Sequence, residues 1–339
     1  MTTLLEKWTD KFATGRDLAS DKAEELLDAM ILSGDEDLLA KLFHAWREKT
    51  IAADEIFAIS SIMRERCIKI TSHHTTFVDI VGTGGSRAKT FNVSTAAAFV
   101  AAGRDIPVAK HGNRAATSST GSSDVLAELG VDPAAEPRTA ERNLNEMGLC
   151  FLFAPNFHRL SATLAKVRRG LGFPTIFNCV GPLCNPAGPP HQLIGVWDEA
   201  LLPKMAEAMR RLGTTRSWIV HGKDGLDEIS IRDKTKVFEI VGSTISEFDI
   251  SPSDFDASIS SEDVRADSAA ESAGIIRAIL NGSKSSGPAL DLVLVNSAAA
   301  IYITGQASSL SEGMQMAAES IKGGHAYAKL KAMSEDRAI

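Results

Sequence analysis

Three short stretches carry residues whose types and spacing suit chemistry on a phosphorylated substrate. The first, Gly82-Thr83-Gly84-Gly85, is a turn too glycine-dense to serve strand or helix stability. It follows the apolar run Phe77, Val78, Ile80, Val81 and precedes a helical pattern over 93–102. Strand, glycine loop and helix N-terminus together present a concave set of backbone N–H groups, which suits a phosphate or pyrophosphate. The same geometry also suits Ser94 and Thr95 as plain helix caps. The second stretch is Lys110-His111-Gly112-Asn113-Arg114. It sets two fixed cations, a histidine and an amide around a glycine that lets the chain turn closely. The third, Asp224-Gly225-Leu226-Asp227-Glu228, offers paired carboxylates for a hard divalent cation, most simply Mg2+ bridging to phosphate oxygens. Adjacent residues of a regular strand point to opposite faces, so joint action of Asp227 and Glu228 needs a bend there or two metal ions.

The common nucleotide signatures are excluded. Arg87 stands where a dinucleotide fold has its third glycine, no carboxylate sits near position 100 for a ribose, and no GxxxxGK[ST] run occurs. There is no HExxH, no Cys/His zinc spacing and no triad-like nucleophile. Lys110 and the hydroxyls of Ser94, Thr95, Ser118 and Ser122 suit phosphate oxygens. Arg168 or Arg169, on a helix after Phe157-His158, brings a planar fork suited to a carboxylate. The chemistry implied is transfer at a phosphorylated substrate with pyrophosphate leaving, carried by positioning and electrostatics.

The elements that must position these groups follow from periodicity. Residues 1–70 carry four short amphipathic helices, marked by Leu4, Leu5, Trp8 and Phe12; by Leu26, Leu27, Met30 and Ile31 after a Ser20 cap; by Leu38, Leu39, Leu42, Phe43 and Trp46; and by Ile56, Ile59, Ile62 and Met63. Their large apolar side chains suit a dimer surface. From Phe77 onward strand and helix patterns alternate, as in an α/β domain. Expected strands cover 106–109, 150–154, 193–197, 218–221, 237–240 and 244–250. Expected helices cover 122–129, 140–147, 161–171, 199–212, 270–280, 289–304, 310–321 and 326–333. Gly181–Pro190 reads as a rigid loop and 251–269 as a surface excursion. In an open α/β sheet the strand C-termini share one rim, where ligands bind, so the three polar stretches are expected to converge there.

Composition narrows the class. The 339 residues suffice for one large or two medium domains. A net charge of -7 with no basic run argues against nucleic acid as the main partner. No apolar run reaches membrane-spanning length and the N-terminus lacks a signal-peptide core, so a cytoplasmic protein is expected. Cys67, Cys150, Cys179 and Cys184 form no CxxC pair and read as reduced thiols, three of them among apolar neighbours.

Eight blocks, GTGG at 82–85, NVST at 92–95, KHGNRA at 110–115, TGSSDVLAELG at 120–130, FLFAP at 151–155, VRRGLG at 167–172, FNCVGPLCNP at 177–186 and HGKDGLDEIS at 221–230, resemble the anthranilate phosphoribosyltransferase family, in order and over nearly the whole chain. The resemblance implies an α/β fold: a small all-helical domain over 1–72, with a contribution from about 160–185, and a large domain over 73–339 with a central, mostly parallel sheet. It implies a homodimer through the helical domain, and transfer of the phosphoribosyl group of 5-phosphoribosyl 1-pyrophosphate to the amine of anthranilate in tryptophan biosynthesis. By the same likeness Gly82, Gly85, Ser86, Thr90, Asn92, Val93, Ser94, Thr95, Lys110, Ser118 and Ser122 bind phosphoribosyl pyrophosphate. Gly82, His111, Asn113, His158 and Arg168 meet anthranilate; Ser94, Asp227 and Glu228 hold one or two Mg2+ ions. The likeness singles out Arg168 over Arg169. Three departures stand out: Ser86 where the family usually has Asp, Ser119 where Lys is common, and Arg159-Leu160 where Pro-Ala is usual. A pyrimidine-nucleoside phosphorylase of similar fold is the enzymatic alternative, and a catalytically silent nucleic-acid-binding relative the other.

Overall fold

Strand β1 (Val78–Gly82) is the third strand of a seven-stranded sheet ordered β3-β2-β1-β4-β5-β6-β7. The other strands are β2 (Val108–Gly112), β3 (Leu149–Phe153), β4 (His191–Gly195), β5 (Arg216–Gly222), β6 (Thr235–Val241) and β7 (Thr244–Ile250). The first five strands are parallel to one another, and β6 and β7 extend the sheet as an antiparallel hairpin. The computed structural model describes residues 2–85, 90–114, 121–257 and 264–336. Fold class is as expected: a mostly parallel sheet covered on both faces by helices.

Two apolar clusters explain why the sheet is buried on both sides. On one face, Val78, Ile80, Val108 and Leu193 pack under the helices Val93–Ala102, Ala269–Leu280, Pro288–Ile303, Leu310–Lys322 and His325–Glu335. The Val93–Ala102 helix is small and apolar all round, so it fits beneath its neighbours with nine of its ten residues buried. On the other face, Ile194, Val196, Ile219 and Ile240 join the four N-terminal helices and the helices Ala162–Gly170, Ile176–Leu183 and Leu202–Leu212 in one cluster. Large aromatics fill it: Phe12 stacks on Trp46 with ring centroids 4.5 Å apart. No described helix is long and apolar enough to cross a membrane. All four cysteines are free thiols.

Several boundaries differ from expectation. Strand β2 starts at Val108 and continues through Gly112, because Lys110, His111 and Gly112 pair in register with Phe151, Leu152 and Phe153 of β3. β4 ends at Gly195, not at Trp197. Gly181 and Pro182 belong to the Ile176–Leu183 helix, where a loop was expected; burial of Phe177, Cys179, Val180 and Leu183 outweighs the local Gly-Pro signal. Ser20 opens a short 3-10 turn ahead of the second helix, which begins at Ala23, and its side chain makes no capping bond. The 251–269 stretch is not all surface, since Phe255 and Ala266 are core residues.

Candidate functional site

The parallel sheet changes winding direction between β1 and β4, and the crevice at their C-terminal ends is where an open α/β fold binds ligands. Both strands end on glycine, and Gly82 and Gly195 are register partners. Thr83 then hooks the chain down: its amide donates to Gly195 O at 2.9 Å and its hydroxyl accepts from Trp197 N at 3.1 Å. Asn178 Nδ2 donates to Thr83 O at 3.0 Å. Gly84 (φ +62°) and Gly85 (φ +83°) take left-handed conformations that only glycine adopts without strain, so this turn is specified by its residue types.

The acidic pair comes to the same crevice. Asp227 and Glu228 lie in a bend after β5, which meets the condition for joint action. A Cβ at Gly82 would stand 3.2 Å from Asp227 Oδ2. Beyond the bend, Ile229 is pinned by Asn296, which accepts from its amide at 3.0 Å and donates to its carbonyl at 3.0 Å. Glu228 Oε2 is buried with no hydrogen-bond partner, and burial, then the Asp227 charge, raise the Glu228 carboxyl well above its ordinary range. A buried carboxylate oxygen without a donor, beside a second carboxylate, fits a hard cation, whose charge would reverse that shift. Among the described residues no three His, Cys, Asp or Glu side chains gather into a metal cage. Two carboxylates are a donor number that Mg2+ uses when water and substrate phosphates complete its shell.

Strand β2 sorts its two functional side chains to opposite faces. Lys110 is buried toward the Val93–Ala102 helix, where Nζ donates to Ile80 O and, at 3.0 Å, to Ser94 Oγ. Burial pulls its ammonium down to about 8, against the pull of Asp79 and Glu228. His111 turns to the other face. Its Nδ1 lies 3.0 Å from Gly181 O, so Nδ1 carries the hydrogen, and its Nε2 is buried without a partner. His158 lies alongside, with ring centroids 5.2 Å apart, and its Nε2 also lacks a partner. Desolvation lowers His111 to about 3 and His158 to about 4, which keeps both rings neutral.

Arg168 completes this face. Its guanidinium stacks over Phe177 at 4.8 Å, and its Nε is buried with no partner. Burial, then the neighbouring Arg169, pull it down to about 10. A desolvated cation with an open donor is a receptor for an anion. The Ile176–Leu183 helix is therefore a hub: Phe177 meets Arg168, Asn178 holds Thr83, and Gly181 fixes the His111 tautomer.

Of the expected site residues, Gly82, Lys110, Asp227 and Glu228 converge on the rim, with Ser94 bonded to Lys110; Gly85 lies in the left-handed turn three residues beyond Gly82. Asn92 stands at the cap position of the Val93–Ala102 helix with its amide donating to Ser272 Oγ at 2.9 Å. Ser94 and Thr95 lie inside that helix, not at its cap; Thr95 Oγ1 is 3.5 Å from Asn92 Oδ1. Thr90 forms an isolated bridge with Arg265. Val93 is fully buried, leaving only its backbone for a ligand. Asn113 is exposed at the end of β2, and Ser122 Oγ reaches its carbonyl at 3.4 Å. A Cβ at Gly112 would come within 2.2 Å of Ser122 Oγ, so a side chain there would turn that hydroxyl away. Ser86, Ser118 and Ser119 lie outside the described residues.

Asp79 was not anticipated. Its carboxylate sits under the rim and accepts from His111 N (3.2 Å), Asn185 Nδ2 (2.8 Å) and Gln192 Nε2 (3.3 Å). Burial outweighs the Lys110 charge and those bonds and lifts it to about 6. The signal was a lone Asp inside the apolar run from Phe77 to Val81, a residue that cannot be buried without partners.

Residues 74–327 match the family model described as glycosyl transferase family, a/b domain. An anthranilate phosphoribosyltransferase from Moorella thermoacetica is 40% identical, over 97% of this chain and 97% of the relative. Another from Methanobrevibacter smithii is 40% identical over 96% of this chain and 97% of its own length. Among solved structures, the Thermus thermophilus enzyme superposes with a TM-score of 0.87 at 35% identity, covering 97% of this chain and 98% of that one. The Saccharomyces cerevisiae enzyme in complex with PRPP and Mg gives 0.88 at 28% identity, covering 98% and 97%.

Proposed function

This chain belongs to the anthranilate phosphoribosyltransferase family, and we propose that the β1/β4 rim is where it transfers the phosphoribosyl group of 5-phosphoribosyl 1-pyrophosphate to the amine of anthranilate. The products are N-(5-phosphoribosyl)anthranilate and pyrophosphate, a step of tryptophan biosynthesis. The observation that carries the assignment of sides is the alternation in β2. Lys110 faces Ser94 and feels the Glu228 charge, while His111 faces His158 and the helix that stacks on Arg168.

On the first side, the Gly84-Gly85 turn, the amides opening the Val93–Ala102 helix, Lys110 and Ser122 hold the phosphates, with Ser86, Thr90, Asn92, Thr95 and Ser118 around them. Ser94, Asp227 and Glu228 hold one or two Mg2+ ions, which would supply charge neutralisation for the departing pyrophosphate. On the second side, Arg168 clamps the anthranilate carboxylate, and Asn113, His111 and His158 border the ring and amine. The amine is an aromatic one, neutral at cellular pH, so its lone pair is ready to attack as C1 gains oxocarbenium character. Residues 1–72 with about 160–185 form the small helical domain, 73–339 the large one, and the helical domain joins two copies in a cytoplasmic homodimer.

The test mixes purified protein, Mg2+, anthranilate and phosphoribosyl pyrophosphate, and follows loss of anthranilate fluorescence with pyrophosphate release. Turnover is expected, and it disappears in an Asp227→Ala/Glu228→Ala variant. No turnover above that control refutes the reading. Phosphorolysis of pyrimidine nucleosides with inorganic phosphate is expected to be absent.

A further inference from the structure

We propose that Asp79 is the positioning residue that spaces β1 from β2 at the rim, and so sets the offset between the diphosphate on the glycine turn and the acceptor beyond β2. This rests on the reading of the rim as a phosphoribosyl-transfer site. Asp79 is wholly buried, so it acts through other residues.

The seam between β1 and β2 is unlike its neighbours. β1 with β4, β2 with β3 and β4 with β5 each hold five register pairs, whereas β1 with β2 holds one, Val78 with Val108. Both strands run on, to Gly82 and Gly112. A regular parallel pair would continue its evenly spaced backbone bonds over that length. Here side chains take their place. Asp79 Oδ1 accepts from His111 N at 3.2 Å, and Lys110 Nζ donates to Ile80 O. Asn185 Nδ2 donates to Ala109 O at 2.7 Å and to Asp79 Oδ2 at 2.8 Å. Gln192 Nε2 lies 3.3 Å from the same Oδ2 and donates to Pro182 O at 2.9 Å. One carboxylate on β1 is thus tied to the backbone of β2 and, through Gln192, to the helix whose Phe177 stacks on Arg168.

A plain backbone ladder would make a more stable seam. Burial lifts the Asp79 carboxyl to about 6 in spite of the Lys110 charge and its donors. Placing a carboxylate where amides could pair with carbonyls lowers stability, so stability does not account for it. The spacing does. β1 feeds the Gly84-Gly85 turn, and β2 ends on the stretch that carries Lys110, His111 and Asn113. A side-chain spacer between the two strands therefore governs how the two bound substrates stand to one another. Reacting atoms must lie about 3–3.5 Å apart, and a misplacement of about 1 Å costs about 100-fold in rate.

Two variants test the spacer, with thermal melts to establish that each folds. Asp79→Asn has the same shape but turns a donor toward Asn185 and Gln192. Asp79→Glu keeps the charge and the acceptors but is one methylene longer. Both should lower the single-turnover rate by about 10- to 100-fold. Phosphoribosyl pyrophosphate affinity, by calorimetry, and the anthranilate KM should each stay within about threefold of wild type, the mark of an interaction felt only at the transition state. A wild-type rate in Asp79→Glu overturns the proposal, because the charge alone then suffices. A wild-type rate in Asp79→Asn overturns it too, and decides alone if Asp79→Glu does not fold. Loss of substrate binding in step with rate also overturns it, since general loosening of the fold gives that result. Wild-type protein that does not turn over refutes the underlying assignment of function instead.

Discussion

The backbone of Asp227 lies directly on Gly195: a Cβ at that glycine would stand 1.6 Å from the Asp227 carbonyl oxygen and 2.4 Å from its carbonyl carbon. One strand end thus serves as the seat of the acidic bend, and its register partner Gly82 faces the Asp227 side chain. The pair of glycines at the ends of β1 and β4 is what lets a carboxylate approach the Gly84-Gly85 turn.

Gly195→Ala should therefore displace the bend. The clash is with backbone, which Asn296 anchors two residues on, so it cannot be relieved by a rotamer change. We expect turnover to fall by at least about 100-fold and stability by about 1–3 kcal/mol. Gly82→Ala, opposed only by a side-chain oxygen at 3.2 Å, should be milder on both counts. Thermal unfolding and single-turnover rates on the two variants check the order.

Arg168→Gln should separate binding from folding. Losing a charge-assisted contact to the acceptor's carboxylate corresponds to about 1.5–3 kcal/mol, so the anthranilate KM should rise by about 10- to 150-fold. Phosphoribosyl pyrophosphate affinity should not change. Because the guanidinium Nε has no partner in the free protein, the melting temperature should hold or rise. A fall in melting temperature parallel to the loss of affinity would contradict this.

Acid stability should report the two neutral imidazoles. Their folded values, about 3 and about 4, lie below the unfolded 6.5. The unfolded chain thus binds the extra protons, and stability is present above pH 6.5 and declines as pH falls toward 4. Asp79 acts in the opposite sense, since its value is raised from 3.8 to about 6 and the folded state holds its proton in that window. Relative to wild type, H111Q and H158Q should each take up about one proton fewer on unfolding between pH 4 and 6.5, and Asp79→Asn about one more. Denaturant midpoints across that range measure the differences.

Glu228→Gln should abolish Mg2+-dependent turnover without destabilising the protein. Burial and Asp227 already disfavour the Glu228 charge in the absence of a cation. The neutral amide relieves that repulsion, so unfolding without Mg2+ should occur at the same temperature or higher. Added Mg2+ with phosphoribosyl pyrophosphate should raise the melting temperature of wild type and not of the variant.

How much was legible depended on whether the signal was local. The Val93–Ala102 helix matched its expected limits because a run of small apolar residues after a glycine turn has few other uses. The Gly84-Gly85 turn was readable for a similar reason: two consecutive left-handed residues almost require glycine. The Ile176–Leu183 helix was hidden, because Gly181 and Pro182 argue against helix locally and only packing of Phe177, Val180 and Leu183 overrides them. β2 was placed two residues early for a related reason, since Lys110 and His111 look like loop residues until the partner strand supplies their bonds.

Residue types and spacing alone determined the α/β pattern, the phosphate-suited turn, the basic His-Asn stretch and the acidic pair, because each is encoded over a few consecutive positions. What only the tertiary structure decided was their mutual arrangement. It seated Asp227 on Gly195, turned Lys110 and His111 to opposite faces, and gave Asp79 its three donors. Those relationships join residues far apart in the chain, and they are set by strand register and the packing of helices on each face, which no short stretch of sequence contains.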